Sequence, residues 1–112
     1  MKLWLDDWRE KPAEYDIHVK TAADAIAALE RGGITEISLD YDLGKYDDEI
    51  SDTGRAVAAW IARGAWDGTV PRMKWKIHSD NVQGREIMLR MLEQAERYWT
   101  ENEMAEQPGE GM

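Results

Sequence analysis

Short apolar runs alternate along this chain with segments in which apolar residues recur at helical spacing. The short segments Lys-Leu-Trp-Leu at 2–5 and Glu-Ile-Ser-Leu-Asp at 36–40 predict two strands, and aspartates end each of them. Alternation of apolar and polar residues at 17–20 and 73–78 predicts two further strands. The chain therefore contains four candidate strands, and all of them are short.

Three segments carry the apolar spacing of amphipathic helices. The first begins at Thr21, which stands three residues before an acid as in a capping box, and ends at Gly32. The second begins at Thr53, and the third follows Asn81 and continues to residue 102. Each predicted helix after the first loop is preceded by a strand, which is the pattern of crossover connections.

This order of elements predicts an α/β fold with a small, mostly parallel sheet of about four strands and crossover helices. We expect one domain over residues 1–102. Residues 103–112 lack an apolar period and are predicted to be a flexible tail. In open α/β sheets the ligand lies beyond the carboxyl ends of the strands, so the functional site is expected there.

Composition narrows the classes of function. The chain of 112 residues has no cysteine, which excludes disulfides and thiolate metal sites. Its formal charge of −9 disfavours a general binder of nucleic-acid backbones and leaves a basic protein partner as an alternative. No apolar run reaches the roughly 18 residues of a membrane span, and the N-terminus does not resemble a signal peptide. We expect a cytoplasmic protein that does not enter a membrane.

Carboxylates follow two of the predicted strands. Asp6 and Asp7 come directly after the first strand, and Asp40 ends the third, with Asp42 two residues later. Parallel strands bring these ends to one edge, where the carboxylates would repel one another unless a cation neutralised them. Oxygen ligands favour a divalent cation such as Mg²⁺ or Mn²⁺. The alternative for any single aspartate is that it caps a turn.

Polar residues after the fourth strand and before the second helix are of types that bind a phosphate or transfer a proton, and they are expected at the same edge of the sheet. His78 would serve as a general acid or base, or else as a hydrogen-bonded structural residue. Ser79 and Asn81 lead into a helix N-terminus, where free backbone N–H groups suit an anion. Arg85 and Thr53 would contact a phosphate; their alternatives are a salt bridge and a plain helix cap.

Four segments together resemble the cyclic-phosphate processing receiver domains, a divergent branch of the response-regulator receivers. They read Leu-Trp-Leu-Asp-Asp-Trp-Arg (3–9), Ile-Ser-Leu-Asp-Tyr-Asp-Leu-Gly (37–44), Thr-Gly-Arg-Ala-Val (53–57) and His-Ser-Asp-Asn-Val-Gln-Gly-Arg-Glu-Ile-Met (78–88). With the elements between them they cover roughly residues 2–95. Each segment alone is a weak signal, whereas their common order is fairly specific.

The resemblance implies a truncated, receiver-like (flavodoxin-like) fold and metal-assisted hydrolysis or processing of a cyclic phosphate. The implied substrate is an RNA 2′,3′-cyclic end or a cyclic nucleotide. The family positions that it carries over are Asp6, Asp7, Asp40, Asp42, Thr53, His78, Ser79, Asn81 and Arg85. A loop at 8–16 replaces the first receiver helix, and no strand with the phosphate-contacting lysine follows the last helix. A standard phosphorelay role is therefore less favoured.

Two alternatives to an enzyme remain open at this point. One is a receiver-like module that binds a nucleotide or phosphate, or accepts a phosphoryl group on Asp40, without turnover. The other is a small acidic inhibitor, of the kind that phages encode, that binds a basic protein. The acidic run at 47–49 is typical of a solvated loop; the alternatives are that it contributes to such a surface or forms a lid over the carboxylates.

Overall fold

A computed structural model of the chain describes residues 1–43 and 53–106. The acidic run at 47–49 and most of the predicted tail lie outside the described residues. The elements, in chain order, are β1 (Lys2–Leu5), β2 (Ile17–Val19), α1 (Ala22–Arg31), β3 (Glu36–Leu39), α2 (Gly54–Asp67), β4 (Lys74–Ile77) and α3 (Val82–Glu106). All four predicted strands and all three predicted helices are present.

The strands form one sheet in the order β2-β1-β3-β4, and every neighbouring pair is parallel. Leu5 of β1 lies beside Leu39 of β3, which lies beside Ile77 of β4. This register aligns the carboxyl ends of the three strands that carry the candidate site. The predicted α/β fold with a parallel sheet and crossover helices is confirmed.

The two faces of the sheet differ in chemistry because strand residues alternate between them. One face presents Leu3, Leu5, Ile37 and Leu39, which join the buried residues of all three helices in a single core. The opposite face presents Trp4 of β1 and Ser38 of β3, which lie outside that core. The sheet thus has a helical layer on one side and a polar layer on the other.

The connection between β1 and β2 runs through residues 6–16 without a helix and lies against the polar face. Tyr15 of this connection packs edge-on against Trp4, with ring centroids 5.3 Å apart. Its hydroxyl donates a 2.8 Å hydrogen bond to the buried carboxylate of Glu36. These contacts fix the connection that carries Asp6 and Asp7 at its start.

Two glycines allow α2 and α3 to begin close to the end of β3. A Cβ on Gly54 would lie 2.1 Å from the backbone oxygen of Asp40. A Cβ on Gly84 would lie 2.3 Å from Cγ of Tyr41. Both approaches need a residue without a side chain. The start of each helix is therefore packed against the strand end that carries Asp40.

The last helix is longer than the sequence pattern predicts. α3 continues through Glu106, four residues past the boundary expected at residue 102. Among its anchors, Trp99 donates an indole hydrogen bond of 2.8 Å to the backbone oxygen of Val70. In the described part of the chain, no helix has the length and apolar character that crossing a membrane requires.

Candidate functional site

Asp6 is the centre of the polar cluster at the carboxyl edge of the sheet. Its side chain is fully buried, and one oxygen, Oδ1, accepts backbone hydrogen bonds from Trp8 and Arg9, both at 2.9 Å. The other oxygen, Oδ2, accepts from Arg9 Nη1 and from His78 Nε2, both at 3.0 Å. Burial opposes ionisation, but these hydrogen bonds outweigh it and the pKa of Asp6 lies below its usual value. Asp6 is therefore a carboxylate at neutral pH.

Asp7 and Asp40 join Asp6 in a group of three carboxylates, the carboxylate cluster. One oxygen from each of Asp6, Asp7 and Asp40 lies within 4.8 Å of the others. Asp40 is 4% exposed, and Asp7 is half-buried and accessible from outside. Burial, reinforced by the negative charge of Asp6, raises the pKa of Asp40. A cation that bound here would remove both the repulsion and the penalty of the buried charge.

The guanidinium of Arg9 lies against these same carboxylates. Nη1 is 3.0 Å from Asp6 Oδ2 and 3.6 Å from Asp40 Oδ2. Nη2 points the other way and bonds the exposed carboxylate of Asp80 at 2.6 Å. Arg9 lies within the first family motif, but no role for it was predicted from the sequence. Its position three residues after Asp6 was the available signal, but spacing alone does not give the direction of a long side chain.

His78 contacts the protein through its ring face and through both ring nitrogens. Its ring stacks on Trp4 with centroids 3.8 Å apart and an interplanar angle of 5°. Nε2 bonds Asp6, and Nδ1 lies 2.7 Å from the hydroxyl oxygen of Ser38. Because the Asp6 carboxylate can only accept, Nε2 carries the hydrogen and Nδ1 accepts from Ser38. Both ring nitrogens are occupied, so His78 positions Asp6 and has no free nitrogen for a substrate.

We expect ¹⁵N NMR to show His78 mainly neutral and protonated on Nε2 above pH 6.5. Burial, which disfavours the imidazolium, lowers its pKa below the ordinary 6.5. As the pH falls below about 6.5 the unfolded chain takes up this proton first, so the free energy of unfolding should decrease there. An Nδ1–H tautomer, or a ring half-protonated above pH 6.5, would contradict the geometry.

Ser79 and Asn81 lie at the mouth of the cluster and shape the start of α3. The buried Ser79 hydroxyl bonds the Asp40 carboxylate, and its oxygen accepts from the backbone N–H of Asn81 at 3.1 Å. Asn81 caps α3, because its Oδ1 accepts from the backbone N–H of Gly84 at 2.8 Å. The structure brings both predicted residues to the predicted edge of the sheet.

Three further residues of the predicted site lie outside the carboxylate cluster: Asp42, Thr53 and Arg85. Asp42 is exposed and lies outside the group of three carboxylates, with its Oδ2 3.4 Å from the Asn81 side-chain nitrogen. Thr53 pairs with Asp42 through a backbone bridge and stands at the N-cap of α2, where its side chain makes no capping hydrogen bond. Arg85 lines a groove of about 430 Å³ beside Trp75 of β4. Arg85 is therefore outside the cluster, and Arg9 is the arginine that the structure places there.

Comparison with known families agrees with this geometry. The model of the cyclic-phosphate processing receiver domain family matches residues 1–94. Neither the curated proteins nor the solved structures include a significant match to the chain. The family match covers every strand, the first two helices and all the residues of the carboxylate cluster. The chain belongs to this family, which confirms the resemblance seen in its motifs.

Proposed function

We propose that this member of the cyclic-phosphate processing receiver family opens a cyclic phosphate ester by hydrolysis, with Mg²⁺ or Mn²⁺ as cofactor. The observation that carries the proposal is the convergence of Asp6, Asp7 and Asp40 from two strand ends. Two of the three carboxylates are buried side by side, and the raised pKa of Asp40 shows a cost of ionisation that a bound divalent cation would offset. The substrate class is a cyclic nucleotide or an RNA 2′,3′-cyclic end.

The donor set fits a hard divalent cation. Three carboxylate oxygens on one side leave the remaining positions to water and substrate, which is the pattern that Mg²⁺ prefers. Asp6, Asp7 and Asp40 would hold the ion. When bound, the ion would polarise the phosphoryl oxygen and lower the pKa of a bound water.

The residues around the cluster have distinct tasks in this proposal. His78 holds the Asp6 carboxylate in one orientation, as partners of metal ligands commonly do. Ser79 holds Asp40 in the same way, through its hydroxyl. Ring opening forms a bond from the water oxygen to phosphorus and breaks the bond to one ribose oxygen, which receives the proton. The product is a phosphate monoester, and no free phosphate is released.

A binding module without turnover is the second candidate, and one observation favours it. Both nitrogens of His78 are bonded to Asp6 and Ser38, so the histidine expected to transfer protons has no free nitrogen. A domain that only recognises a phosphate would need no such group. Turnover therefore distinguishes the two candidates.

The test is ³¹P NMR of 2′,3′-cyclic AMP incubated with the protein and Mg²⁺ or Mn²⁺. We expect the cyclic resonance to be replaced by that of a monoester, and a chelator should stop the conversion. Conversion that continued in the presence of the chelator would contradict a metal-assisted reaction. Binding of the nucleotide without conversion would favour the non-enzymatic module.

A further inference from the structure

The two terminal nitrogens of Arg9 lie at different places: Nη1 is inside the carboxylate cluster, and Nη2 is at its exposed mouth. Nη1 contacts Asp6 Oδ2 at 3.0 Å and lies 3.6 Å from Asp40 Oδ2. Nη2 bonds Asp80, whose side chain is 92% exposed, at 2.6 Å. One guanidinium thus places its single positive charge between two buried carboxylates and also bonds a carboxylate at the surface.

We propose that Arg9 is a built-in counter-cation which a divalent ion displaces, and which then binds the substrate phosphate at the mouth of the site. This inference rests on the proposed function, since it needs an ion in the carboxylate cluster. It assigns to one side chain both the partial charge compensation of the carboxylates before the ion binds and the recognition of the anion afterwards.

Displacement follows from the space and the charge available. Mg²⁺ binds carboxylate oxygens at 2.0–2.1 Å, so an ion shared by Asp6 and Asp40 would lie between their oxygens. Arg9 Nη1 already contacts Oδ2 of Asp6 and faces Oδ2 of Asp40 from that space. A guanidinium and a divalent ion also repel each other strongly at such separations. Binding of the ion therefore requires Nη1 to withdraw.

The backbone of Arg9 would stay in place while its side chain moved. Asp6 Oδ1 accepts the backbone N–H groups of both Trp8 and Arg9 at 2.9 Å, which does not involve the guanidinium. The bond to Asp80 would keep the displaced group at the mouth, where an arginine can bind a phosphate with two hydrogen bonds. From the sequence, phosphate binding was expected of Arg85, which the structure places in a different groove.

Trp8 provides a reporter of this movement. The guanidinium carbon of Arg9 lies 5.3 Å from the Trp8 ring centroid, and Trp8 is 74% exposed. Withdrawal of Arg9 should change the environment of this indole. A change in tryptophan fluorescence on addition of Mg²⁺ should therefore be present in the wild type and reduced in Trp8→Leu.

The decisive experiment is a calorimetric Mg²⁺ titration of the wild type and of Arg9→Gln. Removing the competing cation should tighten Mg²⁺ binding by about tenfold or more, because nothing has to be displaced. Arg9→Lys keeps the charge and should bind Mg²⁺ much as the wild type does. Arg90→Gln removes an exposed arginine on α3 and should change nothing. Equal, weaker or undetectable Mg²⁺ binding in Arg9→Gln would overturn the proposal.

Inorganic phosphate is the probe for the second half of the proposal. With saturating Mg²⁺, phosphate binding should be at least tenfold weaker in Arg9→Gln than in the wild type, although Mg²⁺ binds more tightly. Undiminished phosphate binding would overturn the role in recognition. The melting temperature of each variant shows whether it is folded, and its rise on adding Mg²⁺ should be larger for Arg9→Gln.

Failure of this inference and failure of the proposed function give different results. If the wild type opens a cyclic phosphate but Arg9→Gln binds Mg²⁺ no more tightly, only the role of Arg9 is wrong. If Arg9→Gln binds Mg²⁺ more tightly and phosphate more weakly but the wild type shows no turnover, the inference stands and the hydrolytic function is wrong.

Discussion

Asp6→Ala should lower the free energy of unfolding by about 3–5 kcal/mol, because it breaks a buried, fully hydrogen-bonded charge cluster. The variant would leave four donors without their acceptor, two from the backbone and two from the side chains of Arg9 and His78. Buried donors without partners are costly even when the neighbouring chain relaxes. Urea denaturation followed by far-UV circular dichroism measures the change.

Asp7→Ala is the matched control, because Asp7 is adjacent in sequence and belongs to the same carboxylate group. Asp7 is half-buried and makes no hydrogen bond or ion pair among the described residues. Its removal should change the free energy of unfolding by less than about 0.5 kcal/mol. Similar losses in the two variants would show that the network around Asp6 does not stabilise the fold.

Asp40→Asn should abolish turnover while leaving the protein folded and more stable than the wild type. The ionised carboxylate is buried beside Asp6, and both effects raise the pKa of Asp40. Replacing it with a neutral amide removes that penalty. Turnover should fall at least ~100-fold, because a catalytic metal contributes several kcal/mol and each 1.4 kcal/mol is a factor of ten.

The pH dependence of this effect has a defined sign. A carboxyl whose pKa is raised by folding binds its proton more tightly in the folded chain, so its ionisation destabilises the fold as the pH rises. The stability advantage of Asp40→Asn should therefore grow as the pH rises from the ordinary aspartate pKa of 3.8 to the raised folded-state pKa, stay constant above that pKa, and vanish below pH 3.8.

The control for turnover is Asp42→Asn. Asp42 lies outside the group of three carboxylates, and its side chain is exposed. This variant should keep most of the wild-type turnover. Loss of activity in Asp42→Asn, or full activity in Asp40→Asn, would mean that the ion is held by a different set of residues.

The fold was predictable from local patterns, because each element carries its own signal. The short segments at 2–5 and 36–40 each end at aspartates, and both contain a strand in the structure. A crossover helix joins β2 to β3, and β1 lies between these two strands and parallel to both, so the aspartates after β1 and β3 meet at one edge. The pairing of Asp6 with Asp40 thus follows from pattern and topology together.

The contacts of individual side chains were not predictable in the same way. Whether His78 has a free nitrogen depends on the register of β3 and β4, which brings Ser38 to its Nδ1. Arg85 and Arg9 both carry the charge expected near a phosphate. Their opposite placements depend on the rotation of α3 and on the turn after Asp6. Strand alternation does put Ser38 on the face of Asp40, but the strand register is not encoded by any single residue.

A calorimetric titration of the wild type with Mg²⁺ and Mn²⁺, run beside Asp40→Asn, tests the central claim most directly. The carboxylate cluster predicts one saturable site per chain in the wild type and its loss in the variant. Absence of saturable binding in the wild type, or equal binding in Asp40→Asn, would contradict a divalent-ion site formed by Asp6, Asp7 and Asp40.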